Sequence, residues 1–256
     1  MNRLDPIVAV TREEVARRRE AVPLGALGRS ASDELRSFTD ALVRPGLSVV
    51  AEHMRRSPSA GAIREDLKLE DVVVAYERGG ASALSILTEG PNFGGSLADL
   101  RAARAAARLP VLRKDFIVDP YQVHESFAAG ADAILLIVAA LSEGDLSALF
   151  SAAEELGLSV LVEVHDEREL DVALAVGAPV IGINNRDLTT LEVDTRRTFE
   201  LLPLVGGEAL VVSESGFSHA DQLDELARAG VDGVLIGEAL MRSPDVEAAC
   251  RELAVR

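Results

Sequence analysis

Short apolar runs alternate with longer helix-like segments eight times between residue 47 and the end of the chain. The apolar runs predict strands over residues 47–52, 83–88, 110–114, 133–138, 159–163, 180–184, 209–213 and 233–237. The segments between them predict helices over residues 69–78, 96–107, 120–129, 142–156, 167–176, 194–202, 218–229 and 243–254, most of them ended by glycine. This regular repeat predicts a (β/α)8 TIM barrel, because a doubly wound open sheet usually has fewer units.

The length of the chain agrees with one barrel and an N-terminal extension. Its 256 residues are close to the roughly 250 of a typical (β/α)8 domain, so we expect a single domain over residues 1–256. Residues 1–45 precede the first strand and are predicted to be a helical extension that covers the closed end of the barrel. One helix is expected near Thr11, with Glu13 and Glu14 behind it as a capping signal, and a second over residues 32–42.

Composition excludes several classes of function. The net charge of −16 disfavours general nucleic-acid binding, which needs a basic surface. The single cysteine, Cys250, excludes a disulfide within the chain and a cysteine-based metal site. The first residues lack the pattern of a signal peptide, and no apolar run is long enough to span a bilayer. We therefore expect a cytoplasmic protein with no membrane partner, as a monomer or a weak homo-oligomer.

Polar residues follow the predicted strands at the ends that meet in the mouth of a barrel. They are Glu52, Thr88, Glu89, Lys114, Glu163, Asn184, Glu214 and Ser215, and Gly237 stands at the corresponding end of the last strand. The lysine belongs to a charged cluster, residues 113–115, that stops the third apolar run abruptly. One lysine among several carboxylates is an acid/base set, because neighbouring charges shift one another's pKa and let a lysine and a glutamate act as acid and base near neutral pH.

Glycines after the last two predicted strands indicate a phosphate site. Ser215-Gly216 and Gly237-Glu238 stand where backbone N–H groups bind phosphate in many barrels. The side chain of Glu238 should point away from such an anion. There is no dinucleotide fingerprint and no metal-ligand set, and the four histidines (His53, His124, His165 and His219) are expected at the surface or in supporting roles. The two clusters imply a small phosphorylated substrate and acid/base chemistry.

Seven stretches together resemble the indole-3-glycerol phosphate synthase family over essentially the whole chain. They are Ser-Pro-Ser at 57–59, SILTE at 85–89 with FGGS at 93–96, LRKDF at 112–116, LVEV at 161–164, GINNRDL at 182–188, ESG at 214–216 and LIG at 235–237. The resemblance implies a lyase of tryptophan biosynthesis. It would cyclise a carboxyphenylamino-deoxyribulose phosphate with loss of CO2 and of water, without a cofactor or a metal.

The resemblance also implies a role for each matching residue. Lys114 would be the general acid of ring closure and Glu163 the acid/base of dehydration, while Glu52 and Asn184 would hold and polarise the reacting part. Phe93 would lie beside the aromatic ring on a mobile loop. The substrate and phosphate sites would contain Ser57, Glu214, Ser215, Gly216 and Gly237, with Arg186 nearby. The loop over residues 53–62 would be mobile and gate the site.

The chain departs from the family pattern at Met54, where the family has a catalytic lysine two residues after the glutamate. Because side chains alternate along a strand, Met54 should face the mouth with Glu52, while His53 faces away. The lost cation should cost about 2–4 kcal/mol, roughly 30- to 1000-fold in rate, if it acts like one oxyanion donor. Arg55 or Arg56 would compensate only if the strand end bends. A slow synthase, an enzyme acting on a related phosphorylated amine, a barrel that binds a phosphorylated ligand with little activity, and a sugar-phosphate isomerase therefore stay open.

Overall fold

The computed structural model describes residues 4–28 and 34–254. Eight parallel strands close into a barrel in which each strand pairs with its neighbours in the chain and the last pairs with the first. They are β1 (Ser48–His53), β2 (Ala83–Leu87), β3 (Val111–Lys114), β4 (Ala133–Ile137), β5 (Ser159–Val164), β6 (Val180–Asn184), β7 (Leu210–Glu214) and β8 (Gly233–Ile236). The predicted (β/α)8 TIM barrel is confirmed.

Helices precede the barrel and follow each of its strands. They are α1 (Leu4–Ala21), α2 (Phe38–Leu42), α3 (Leu69–Arg78), α4 (Leu97–Ala106), α5 (Pro120–Ala129), α6 (Glu143–Glu155), α7 (Glu167–Ala175), α8 (Arg196–Val205), α9 (Ala220–Ala229), α10 (Glu238–Arg242) and α11 (Val246–Ala254). Two 3-10 turns (Leu24–Ala26 and Val138–Ala140) and a hairpin of Arg56–Ser57 with Gly61–Ala62 complete the fold. Among the described residues, no helix is both long and apolar enough to cross a membrane.

Local chemistry explains where the helices begin. The Ser96 hydroxyl accepts from the Asp99 N–H at 3.1 Å and caps α4, as an N-cap serine is expected to do. Asp119 caps α5, whose first residue is Pro120, a favoured first position because proline has no N–H to satisfy. The last helix, predicted over residues 243–254, is the shorter α11 (Val246–Ala254), and the short α10, which the sequence pattern did not predict, precedes it. Pro244 lies between the two helices and disfavours helical backbone at the residue before it.

The short helix α2 covers the closed end of the barrel, as expected of the N-terminal extension. Phe38 and Leu42 are buried in the same apolar cluster as the residues that point into the barrel, among them Val50 and Leu112. The Ser48 hydroxyl at the start of β1 donates to the carbonyl of Leu42 at 3.3 Å. The helix predicted over residues 32–42 is shorter than expected: it begins at Phe38 after its N-cap Ser37, and residues 32 and 33 lie outside the described residues.

The long helix α1 includes the helix predicted near Thr11 but begins earlier than predicted. It already includes Leu4, so Thr11 is a buried residue inside the helix and not part of a cap. Its first turn lines the open end of the barrel through Leu4, Pro6 and Ile7. Its second half is fastened to α5, because Arg18 pairs with Glu125 at 2.8 Å. The extension therefore reaches both ends of the barrel, and the expectation that all of it covers the closed end was wrong.

Candidate active site

A cavity of about 850 Å³ opens at the C-terminal ends of the strands. Twelve residues that the sequence predictions place in the site border it. These are Glu52, Met54, Ser57, Phe93, Lys114, Glu163, Asn184, Arg186, Glu214, Ser215, Gly216 and Gly237. The barrel therefore brings residues from five of its eight strands, and from the loops that follow β1, β2, β6, β7 and β8, into one mouth.

Lys114 is the centre of the site. It ends β3, and its Nζ lies 3.0 Å from Glu163 Oε2 and 2.5 Å from Glu214 Oε2. Burial alone would lower the pKa of Lys114, but the surrounding carboxylates outweigh it and raise the pKa above the ordinary value. Burial would likewise raise the pKa of Glu163, yet Lys114 holds it well below its usual range. At neutral pH this pair is an ammonium and a carboxylate.

Two further carboxylates are buried beside the same ammonium. Burial raises the pKa of Glu214 to about 7, in spite of Lys114. Burial also raises the pKa of Glu52, whose Oε2 accepts from the Ser85 hydroxyl at 2.8 Å. Gly182 leaves the space for Glu214, because a Cβ there would lie 2.3 Å from Glu214 Oε1. Three carboxylates thus share one lysine, so the cluster readily holds a proton near neutrality.

Glu163 is held through both of its oxygens, and Lys114 is the partner of Oε2. Its Oε1 accepts from the Asn184 amide at 3.1 Å and lies 3.3 Å from Nε2 of His165, a contact at ion-pair distance without hydrogen-bond geometry. The sequence predictions placed His165 only in a general supporting role. The signal that could have found it is the spacing: His165 follows β5 two residues after Glu163, and side chains two residues apart in extended backbone point to the same side.

The turn after β7 has an unusual backbone conformation. Ser215 has a φ of 65° and Gly216 a φ of 96°, so two successive residues are left-handed. For a serine this conformation is strained, and such strain is concentrated at functional sites. Asn185, another residue that the sequence predictions missed, holds the turn by donating to the carbonyls of Glu214 at 2.9 Å and Ser215 at 3.1 Å.

Met54 faces the mouth with Glu52, as the alternation of β1 predicts. Its side chain is buried, and its sulfur lies within 2.8 Å of the point where a Cβ on Gly237 would be. Burial lowers the pKa of His53, which does not border the cavity, to about 4. Neither neighbouring arginine replaces the missing lysine. Arg55 pairs with Asp99 at 2.7 Å, and Arg56 donates to the carbonyls of Gly90 and Pro91 at 3.1 Å.

Thr88 does not face the mouth, in contrast to the prediction from the strand ends. Its hydroxyl donates to Asp115 at 2.5 Å and accepts from Arg113 at 3.0 Å. Arg113 is 1% exposed and also pairs with Glu125 at 3.1 Å. The charged cluster at residues 113–115 is therefore divided, since Lys114 points into the mouth while Arg113 is satisfied among buried partners beneath it.

Apolar side chains form one wall of the cavity. The rings of Phe93 and Phe116 lie 6.5 Å apart between centroids, a distance typical of packed aromatic pairs. Leu188 and Leu191 border the same cavity. The loop that carries Phe93 is fixed by Glu89, whose Oε2 accepts from the N–H of Phe93 at 3.0 Å. The wall suits a flat aromatic group.

The rim and the remaining groups limit the chemistry. Glu238 is half exposed, borders the cavity and pairs with Arg242 at 2.8 Å, so its charge is matched at the rim. His124 is half-buried on α5, and His219 is exposed at the start of α9. Across residues 4–28 and 34–254, no group of three histidine, cysteine, aspartate or glutamate side chains is arranged to hold a metal ion.

Solved structures with this fold come from distant enzymes. A thiamine phosphate pyrophosphorylase from Pyrococcus furiosus superposes with a TM-score of 0.62 at 19% identity, over 85% of this chain and 96% of that one. A 3-hexulose-6-phosphate synthase from Salmonella typhimurium gives 0.62 at 16% identity, over 81% and 97% of the two chains. At such low identity the likeness supports the fold alone.

Relatives at the sequence level are much closer. Indole-3-glycerol phosphate synthase 2 of Streptomyces coelicolor is 50% identical over 84% of this chain and 84% of that protein. The indole-3-glycerol phosphate synthase of Nocardioides sp. is 46% identical over 99% and 98%, and that of Sulfurimonas denitrificans 43% over 98% and 97%. The profile of the family described as indole-3-glycerol phosphate synthase matches residues 4–253. The chain belongs to the indole-3-glycerol phosphate synthase family.

Proposed function

We propose that this protein is an indole-3-glycerol phosphate synthase of tryptophan biosynthesis, acting as a carboxy-lyase. Its substrate would be 1-(2-carboxyphenylamino)-1-deoxyribulose 5-phosphate, and its products indole-3-glycerol phosphate, CO2 and water. The observation that carries the proposal is the buried Lys114 between Glu163 and Glu214, in the mouth of a barrel whose whole length matches the family.

Lys114 has the properties of the general acid for ring closure. Its ammonium is protonated at neutral pH and lies at the end of β3, inside the cavity. Ring closure needs a proton on the ribulose carbonyl oxygen while the ring carbon that bears the carboxylate attacks the carbonyl carbon. A buried ammonium supplies that proton at a place from which water is largely excluded. The adjacent carboxylates then favour reprotonation of the lysine.

Glu163 is suited to the later dehydration. After the carboxylate leaves as CO2, the ring holds a hydroxyl that departs as water once a proton reaches it. Glu163 has Asn184 on one oxygen and Lys114 on the other, so its carboxylate points steadily at the centre of the mouth. As a carboxylate it would first take a proton from the ring and then deliver that proton to the departing hydroxyl, which leaves its own charge unchanged.

The remaining walls would orient the two ends of the substrate. The apolar wall at Phe93 and Phe116 would pack on the aromatic ring. Ser57, the left-handed turn at Ser215 and Gly216, and the close approach that Gly237 allows would hold the phosphate. Arg186 borders the same cavity and already donates to the carbonyl of Leu191 at 3.0 Å, so it contributes positive charge near the phosphate.

The test is product formation by the purified protein and by Lys114→Met, followed through indole fluorescence. The chain has only two lysines, and Lys68, exposed just before α3, is the matched control. We expect turnover by the unaltered protein and by Lys68→Met. Lys114→Met should lose at least about a thousandfold in rate, because the acid and its charge are both removed. Absence of product from the unaltered protein would overturn the proposal.

A further inference from the structure

His165 is a buried titratable group that the proposed chemistry does not use. It follows β5 directly, and its side chain is 10% exposed. Its Nδ1 lies 2.9 Å from Glu169 Oε2, and its backbone N–H donates to the same oxygen at 2.8 Å. The Nδ1 contact orients the imidazole and the backbone contact holds the residue, so the position of Nε2 is set by the fold.

That other nitrogen lies beside Glu163. Nε2 of His165 is buried, lies 3.3 Å from Glu163 Oε1, and has no hydrogen-bond partner among the described residues. Glu169 sits on the first turn of α7, which Asp166 caps by accepting from the Glu169 N–H at 2.9 Å. The helix start thus holds Glu169, Glu169 holds the ring, and the ring faces the carboxylate that the proposed function uses as acid and base.

The charge of the ring follows from its two carboxylate neighbours. Burial opposes protonation, but Glu163 on β5 and Glu169 on α7 outweigh it and raise the pKa of His165 to about 9. Asn184 on β6 contacts the same oxygen of Glu163 and carries no charge. The 3-10 turn at Val138–Ala140, which packs on β5 and α7, contains no titratable side chain. At neutral pH the ring is therefore an imidazolium.

We propose that His165 is a positioning residue whose imidazolium, anchored by Glu169, orients Glu163 and keeps it ionised when Lys114 gives up its proton. The inference rests on the proposed function. During ring closure the ammonium beside Glu163 becomes a neutral amine, and the largest influence that favours the charged carboxylate disappears. A second cation on the opposite oxygen preserves the carboxylate until the dehydration step.

The kinetic test compares His165→Gln with His124→Gln, a control on the outer helix α5. Glutamine keeps a donor but no charge. We expect His165→Gln to lower kcat about tenfold, as the loss of one charged contact does, with KM changed less than about twofold. The unaltered protein should lose activity as the pH rises through about 9, where the imidazolium is deprotonated. His165→Gln should lack that loss, and His124→Gln should keep it.

The structural test needs no turnover. NMR titration of the ring should place the pKa of His165 near 9, and Glu163→Gln and Glu169→Gln should each move it towards 6.5. A ring that titrates near 6.5 in the unaltered protein, or that ignores Glu163→Gln, overturns the inference. So does a His165→Gln enzyme with unchanged kcat and pH profile. If the ring behaves as expected while the unaltered protein forms no product, the ion pair stands and the proposed function alone fails.

Discussion

Met54 leaves the three carboxylates of the mouth with a single neighbouring ammonium. Glu52, Glu163 and Glu214 all act on Lys114, whose pKa they raise. Met54 contributes an apolar surface against Gly237 in place of a charge. Since methionine has neither a charge nor a donor, it cannot attract the carboxylate that the substrate carries on its aromatic ring. Met54 is therefore the residue at which this chain should differ most from its family in rate.

Met54→Lys should raise kcat/KM at least about tenfold, because one well-placed cation contributes roughly 2–4 kcal/mol to a developing anion. The new ammonium should also lower the pKa of Glu214 from about 7, since an opposite charge favours the carboxylate. Steady-state kinetics with product fluorescence checks the rate. Met54→Leu is the control and should leave the rate within about twofold, because it keeps the apolar volume. An equal or lower rate for Met54→Lys would show that the mouth is adapted to methionine.

Among the secondary structure elements, the loop after β1 is joined by side chains to the loop after β2. Arg55, just after β1, pairs with Asp99 on α4 and donates to the carbonyl of Gly94 at 3.2 Å. Arg56 donates to carbonyls of the loop after β2. These contacts tie the loop of the hairpin at residues 56–62 to the loop that carries Phe93. The two arginines that follow Met54 therefore support the aromatic wall from outside the cavity.

Arg55→Met should loosen this tie and raise KM by roughly tenfold, while kcat changes little, because the loop orders the substrate and performs no proton transfer. The comparison variant is Arg251→Met on the last helix, an exposed arginine paired within its own helix. Initial rates over a range of substrate concentrations separate the two parameters. A large fall in kcat with KM unchanged would contradict a role limited to substrate ordering.

The sequence predicted the strands and most helices because each carries a local signal. Val180–Asn184, Leu69–Arg78 and Pro120–Ala129 have the predicted bounds, since apolar periodicity and capping residues define them. The start of helix α1 was predicted too late in the chain, and contacts far away in the sequence fix the helix in place. Arg18 pairs with Glu125 and Tyr121 donates to the carbonyl of Val22, more than ninety residues apart. No pattern within residues 1–45 contains that information.

The site was predictable to the extent that the fold places strand ends together. All twelve site residues border one cavity, because each follows or ends a strand and parallel strands end at one mouth. Thr88 was misplaced, since its side chain joins the buried Arg113. Asn185 and His165 were not assigned to the site, because their importance comes from partners on other segments. The roles proposed for Lys114 and Glu163 remain predictions.

At the scale of the whole molecule, His53 makes the fold sensitive to acid. It is buried, and the folded state holds its pKa near 4, below the ordinary 6.5. Burial is the main cause, and the nearby Arg55 adds to it. Below pH 6.5 the unfolded chain binds a proton on His53, whereas the folded chain binds it only as the pH approaches 4. The stability that depends on neutral His53 is therefore complete above pH 6.5 and is lost as the pH falls towards 4.

We expect this loss to reach about 3 kcal/mol at pH 4, since each pKa unit corresponds to about 1.4 kcal/mol. His53→Gln should show a shallower fall in the free energy of unfolding between pH 6.5 and 4. Urea unfolding at several pH values measures it, with His219→Gln as the exposed control. Parallel slopes for His53→Gln and the unaltered protein would mean that His53 takes up its proton without unfolding.

The central claim is that Lys114 acts in ring closure and Glu163 in the later loss of water. The most direct measurement follows CO2 release and indole fluorescence together in a single turnover. We predict that Lys114→Met releases neither, whereas Glu163→Gln releases CO2 at least about tenfold faster than it forms indole. CO2 release by Lys114→Met at the rate of the unaltered protein would contradict the account, as would equal slowing of both signals in Glu163→Gln.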